Sequence, residues 1–206
     1  MKYQNITYSH EHPRIDLSVG KNDPDCLLNG YLDCIDELKD IYAKGVTRWV
    51  DCSNHGIGVD WKNNQKIFEE VGIEVINSTG FYKTPFMPDY VSTASIEELA
   101  NIMLEDLANG AKVIGEIGTS KDEWTKDELK VFEAVIAQKK SNAVIITHTT
   151  LGTLIKEQVD FFLENGINPK KVIISHVALS NDLDALRYAL QKGFNVAFDT
   201  IGKTKY

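Results

Sequence analysis

One pattern recurs along this chain and limits what it can fold into: an amphipathic helix, a glycine that ends it, then a short apolar strand. A first helix is predicted over about residues 29–44, where Leu32, Ile35, Leu38 and Ile41 share one stripe at helical spacing. It stops at Gly45, before TRWVDC. WKNNQKIFEEV runs to Gly72 and gives way to EVINSTG. Ser95 and Glu98 have capping-box spacing at the head of SIEELANIMLEDLAN, which ends at Gly110 before KVIGEIGT. Thr125 and Glu128 repeat that spacing ahead of LKVFEAVIAQKK and AVIITHT. A helix from about residue 153 ends at Gly166 before KVIISHV, and NDLDALRYALQK ends at Gly193 before FNVAFDT. With ITYSHEH as the first strand, the pattern contains seven strands joined by six helices.

Most of these strands are continuous apolar runs rather than alternating ones. Burial on both faces follows, hence a parallel sheet covered by helices. Two architectures satisfy that requirement. A doubly wound open sheet favours a glycine-rich phosphate loop after its first strand, but that turn reads HEHPRID here. The polar residues instead sit at the C-terminal ends of many strands, where a barrel builds its active site. The expected fold is therefore a TIM (β/α)8-type barrel, with about seven of its eight strands present, as a single domain over 1–206. The stretch FYKTPFMPDYVSTA, after the third strand, reads as a loop that shapes a pocket.

Five histidines occur: His10, His12, His55, His148 and His176. Four lie at strand ends. His10 and His12 are two apart on a strand, so both rings face one side. His148 closes AVIITH and His176 closes KVIISH. Glu116 sits inside VIGEIGT, where a carboxylate needs a strong partner. Each of these is weak alone, because a single strand histidine is commonly a hydrogen-bonded core residue. Together they predict a metal site, since unrelated core histidines have no reason to share one end of a sheet. Four imidazoles and one carboxylate exceed the needs of one tetrahedral ion and suit two ions sharing a carboxylate. Zinc is the first expectation for these donors, with Mn, Co or Fe open. Such a pair supplies hydroxide near neutral pH, which predicts hydrolysis of an ester-like bond.

The charge of −8, with Lys and Arg scattered, argues against nucleic acid or anionic membrane as partner. No membrane-length apolar run and no signal-peptide core are evident, so a cytoplasmic enzyme is expected. Cys26, Cys34 and Cys52 lack CxxC spacing and read as reduced thiols.

The segments SHEHPRIDLS, STGFYKTPFMPDYV, IGEIGTS, ITHTT, ISHVALSNDLD and FDTIGK resemble the phosphotriesterase family of the amidohydrolase superfamily, and within it the lactonase-like branch. That resemblance runs essentially end to end. It implies that His10 and His12 hold a more buried metal and His148 and His176 a more exposed one. Glu116 falls at the bridging position, which is a carboxylated lysine in other branches. Tyr82 falls where relatives place a tyrosine beside the metals. His55 matches no ligand, which leaves it a loop or supporting role. The implied substrates are small lactones or esters, some phosphorylated, with Lys83 or Lys203 as candidate phosphate contacts. A homodimer is also implied, as is a phosphoric ester hydrolase or a non-catalytic metal-binding relic as an alternative to the lactonase reading.

Two departures from the family stand out. The turn ANGAKVIGEIGTS is shorter than in relatives, a change expected on the face away from the site. The resemblance also implies an eighth strand ending in a metal-binding aspartate, which no residue here matches. Asp199, at the end of the seventh strand, is expected to be a poor substitute for that ligand.

Overall fold

The structure, a computed structural model, describes residues 5–28 and 31–202. The side chain of Leu32 and the whole of Lys203 lie outside the described residues. The parallel sheet contains β1 (Ile6–Glu11), β4 (Val46–Asp51), β5 (Glu74–Thr79), β6 (Val113–Thr119), β7 (Val144–Thr149), β8 (Val172–Ser175) and β9 (Asn195–Val196), hydrogen-bonded in that order. Six helices link these strands in turn: α2 (Tyr31–Ala43), α3 (Trp61–Val71), α4 (Ile96–Asn109), α5 (Lys126–Ala137), α6 (Ile155–Glu164) and α7 (Leu183–Gln191). Strand order equals chain order, so each βαβ unit places its strand beside the last. That is the curled half-barrel of a TIM-type fold.

The helix ends follow the local chemistry. Ser95 and Thr125 each accept from the backbone N–H three residues on, and Glu98 and Glu128 reciprocate. Gly72 ends α3 at φ 90°, a left-handed conformation that costs glycine no steric penalty. In α2, Leu38 is buried while Ile35 and Ile41 pack beside it against Phe68 and Val71.

Two apolar layers result from the period-two strands. Ile114, Ile117, Ile145, Val172 and Ile174 face the helices and join Phe132, Val159 and Phe162 in the main core. Val50, Cys52, Val113 and Ile146 form a second cluster, with Val144 and Ile173 against it. His148 shares the face of Val144 and Ile146, so the same alternation that packs the barrel interior aims this imidazole inward.

The sequence pattern did not indicate the excursion between β1 and α2. A two-stranded antiparallel pair, β2 (Ile15–Asp16) and β3 (Leu27–Leu28), encloses the short helix α1 (Ser18–Lys21). At the sheet ends, β1 pairs with β4 and β9 with β8 among the described residues, and a groove of about 470 Å³ lies between β1 and β9. No helix among the described residues is long and apolar enough to cross a membrane.

Candidate metal centre

β6 is buried along its whole length, and Glu116 is its one ionisable residue. Register places Gly118 of β6 beside His148 of β7, and His148 beside Ser175 at the end of β8. His176 follows immediately. On the other side, β1 carries His10 to the same end of the sheet. The four imidazoles predicted from sequence therefore meet on one carboxylate. Glu116 Oε2 lies 3.1 Å from His10 Nε2, 2.9 Å from His148 Nδ1 and 3.3 Å from His176 Nε2. Its other oxygen, Oε1, lies 3.3 Å from His12 Nε2.

These spacings suit shared cations. Ligand atoms about 2.0–2.1 Å from a tetrahedral ion stand roughly 3.4 Å apart. Three groups of possible ligands satisfy the distances: His10, His12 and Glu116; Glu116, His148 and His176; and His10, His176 and Asp199. A further observation favours a cation over a purely hydrogen-bonded cluster. His10 Nε2 is buried, faces Glu116, and makes no hydrogen bond. A buried imidazole nitrogen turned inward in this way is what a metal ligand offers once its proton is displaced.

The rear nitrogens are held in turn. Ser53 Oγ donates to the Arg14 carbonyl at 2.6 Å, so it accepts from His12 Nδ1 at 3.1 Å and leaves Nε2 free to face Glu116. His10 Nδ1 lies 3.0 Å from Ser175 Oγ. Asp199 also reaches the centre, with Oδ1 2.8 Å from His176 Nδ1 and Oδ2 3.2 Å from His10 Nδ1. Reasoning from sequence puts little weight on Asp199. The signal available was a carboxylate at a strand's C-terminal end, but it fits no family ligand position.

Charge coupling inside the cluster is strong. Burial pushes the Glu116 carboxyl up, yet the imidazoles of His10 and His148 outweigh it and hold it well below the usual range. Burial pulls His10 down, but Glu116 and Asp199 raise it to about 10. For His148 burial wins over Glu116, and the value falls to about 4. Burial, then the Glu116 charge, keeps Tyr82 a neutral phenol.

Tyr82 stands beside the cluster, its Oη 3.2 Å from His148 Nδ1 and its ring edge-on to that imidazole. Lys83 is half-buried next to it, with Nζ 5.8 Å from the Tyr82 ring centroid and 5.3 Å from that of Phe86. His55 is not part of this centre. It lies on the outer side of the sheet, bound to Asp106 of α4. Glu128 has a role beyond the capping box: it accepts from the backbone N–H groups of Thr84 and Ser120, tying two loops at this end to α5.

Comparison with known proteins agrees with this geometry. The model of the Phosphotriesterase family matches residues 4–206. The phosphotriesterase homology protein of Escherichia coli is 35% identical over 97% of this chain and 71% of its own length. Its crystal structure, with phosphate in the active site, superposes with a TM-score of 0.94 over 98% of this chain and 73% of that one. An aryldialkylphosphatase of Saccharolobus solfataricus is 28% identical over 96% of this chain, which spans 66% of that relative. A lactonase from Listeria monocytogenes, 22% identical, shares the fold with a TM-score of 0.85 over 98% of this chain and 70% of that one. With seven parallel strands in chain order and a His/Glu cluster that could hold metal at their C-terminal end, the chain belongs to the phosphotriesterase family.

Proposed function

We propose that the chain is a binuclear-metal hydrolase of small esters, first of all lactones, including sugar lactones. The observation that carries this reading is the meeting of four imidazoles on the single carboxylate of Glu116. In this reading His10 and His12 would hold one divalent cation and His148 and His176 the other, with Glu116 available to both. Zinc is the first candidate, with Mn, Co or Fe suited to the same donors. When bound, such a pair supplies a hydroxide nucleophile near neutral pH and polarises the oxygen under attack.

The chain's own side chains do the rest. His10, almost fully buried, and His12, less so, fix one side of the centre from a rigid strand. Tyr82, kept protonated by burial, presents an O–H donor beside His148, where it orients a substrate carbonyl. The enzyme is read as a single domain over 1–206, cytoplasmic, with a small molecule rather than nucleic acid or membrane as its partner, and as a homodimer.

A second reading, a phosphorylated substrate or a phosphoric ester, is favoured by one observation: Lys83 is half-buried next to Tyr82 rather than free in solvent. The phosphate bound in the active site of the E. coli relative points the same way.

Elemental analysis of the purified chain, paired with ring-opening assays on plain and phosphorylated sugar lactones and a phosphotriester, tests these readings together. Two metal equivalents and lactone turnover are expected. Faster turnover of the phosphotriester would replace the lactonase reading, and two equivalents without turnover would make the chain a metal-binding relic. No bound metal after loading with zinc would overturn the proposal.

A further inference from the structure

Two of the four imidazoles share a feature that the other two lack. His10, on β1, and His176, after β8, each face Glu116 through Nε2 and turn Nδ1 toward the same carboxylate, that of Asp199. His10 Nδ1 also meets Ser175 Oγ at 3.0 Å; behind His12 stands a serine hydroxyl alone, and His148 approaches Glu116 through Nδ1. Asp199 follows β9, so its carboxylate spans the groove that separates β9 from β1. Its side chain is only 10% exposed.

The grip on His176 is double. Asp199 Oδ1 accepts from the backbone N–H of His176 at 3.1 Å as well as from its Nδ1 at 2.8 Å. His176 has φ 62°, in the left-handed region that non-glycine residues adopt uncommonly. One oxygen thus fixes both the backbone and the ring of His176. The other, Oδ2, lies 3.2 Å from His10 Nδ1, an ion-pair contact rather than a hydrogen bond, since that nitrogen is hydrogen-bonded to Ser175 Oγ.

We propose that Asp199 is a shared positioning residue for the metal centre, hydrogen-bonding His176 at Nδ1 and, by its charge beside Ser175 Oγ, holding His10 with Nδ1 turned to the carboxylate, so that both Nε2 atoms face Glu116. The proposal rests on the metal-centre reading above and goes beyond it by coupling the two cation positions. A neutral imidazole carries one N–H, and a carboxylate behind Nδ1 places it there and makes Nε2 the better ligand. Losing such a partner lowers metal affinity by about 10–100-fold. In the metal-centre reading His10 pairs with His12 and His176 with His148, so a single carboxylate supports one ligand of each cation. Removing it weakens both positions together.

The test is zinc affinity of the 206-residue chain, measured by competition with a chromophoric chelator, for the wild type, Asp199→Ala, Asp199→Asn and Ser53→Ala. Both equivalents are expected to weaken in Asp199→Ala by about 10–100-fold. Asp199→Asn, near in shape, is expected to recover part of the loss, since its one carbonyl oxygen can serve one N–H. Ser53→Ala is expected to weaken one equivalent only. The visible spectrum of the cobalt(II)-loaded chain separates positioning from direct ligation. Unchanged band shape in Asp199→Asn supports positioning, whereas a changed band pattern makes Asp199 a ligand and overturns the proposal. Weakening of one equivalent alone, or of neither, also overturns it while leaving the metal-centre reading intact. A wild type that takes up no metal sinks both. Should Asp199→Ala fail to fold, Asp199→Asn carries the same comparison.

Discussion

Two regions of this molecule join imidazole to carboxylate, and they do opposite things with the pair. On the outer side of the sheet His55 Nε2 meets Asp106 Oδ2 at 2.7 Å, and the Thr79 hydroxyl donates to the same oxygen. The His55 ring stacks on Phe81, and His55 and Asp106 line a cavity of about 950 Å³ with residues of α3. One imidazole there serves one carboxylate, and the result ties α4 to β5. At the mouth of the barrel four imidazoles serve one carboxylate, and Glu116 is only 3% exposed. Four rings exceed what a lone carboxylate needs and leave a buried nitrogen of His10 without a hydrogen bond. What separates a candidate metal centre from a structural pair is this surplus of nitrogen donors around a buried carboxylate, not the residue types.

Removing the carboxylate from each region breaks the comparison most sharply. Glu116→Gln keeps the shape of the side chain but not its charge. Metal content is expected to fall from two equivalents to one or none, measured by elemental analysis. Hydrolysis is expected to fall at least about a thousandfold, because metal assistance is worth several kcal/mol at the transition state. Full metal content and activity in this variant would show that Glu116 is an ordinary buried acid.

His55→Ala probes the outer pair and is expected to leave metal content untouched. Asp106 keeps the Thr79 hydroxyl but loses its imidazole partner. Both side chains are about a fifth to a quarter exposed, so the cost in urea unfolding is expected to be modest, about 1–2 kcal/mol. A drop in bound metal for this variant would erase the distinction between the two regions.

The sequence made some of this visible and hid the rest for a physical reason. Features written within a few residues of one another were legible: the Ser95 and Thr125 caps, the end of α3 at Gly72, and the paired faces of His10 and His12. The barrel order followed too, since each strand pairs with the next in chain order. Contacts set only by closure of the sheet were not legible. His10 and Ser175 touch across 165 positions, and Asp199 reaches His10 across the groove between β9 and β1. Glu128 was readable as a helix cap because Thr125 is its neighbour. Its hold on Thr84, 44 residues away, depends on how two βα loops pack at the same end of the barrel. Short-range chemistry appears in the pattern of letters, whereas the partners of Asp199, Glu128 and His55 emerge only once the strands are side by side.

The smallest expected effect belongs to Tyr82, which touches the centre without belonging to its ligand set. Its hydroxyl lies 3.2 Å from His148 Nδ1, and burial keeps it protonated. Tyr82→Phe keeps the ring that packs edge-on against His148 and removes only the donor. Metal content and thermal stability are expected to stay near the wild type. If the hydroxyl holds the substrate carbonyl in the ground and transition states alike, KM for a lactone should rise about threefold to tenfold with kcat little changed. That range corresponds to one modest hydrogen bond. A fall in kcat at constant KM would instead assign the hydroxyl to the developing charge. No kinetic change would make Tyr82 a packing residue like its neighbour Phe81, and would confine the chemistry to Glu116 and the four imidazoles.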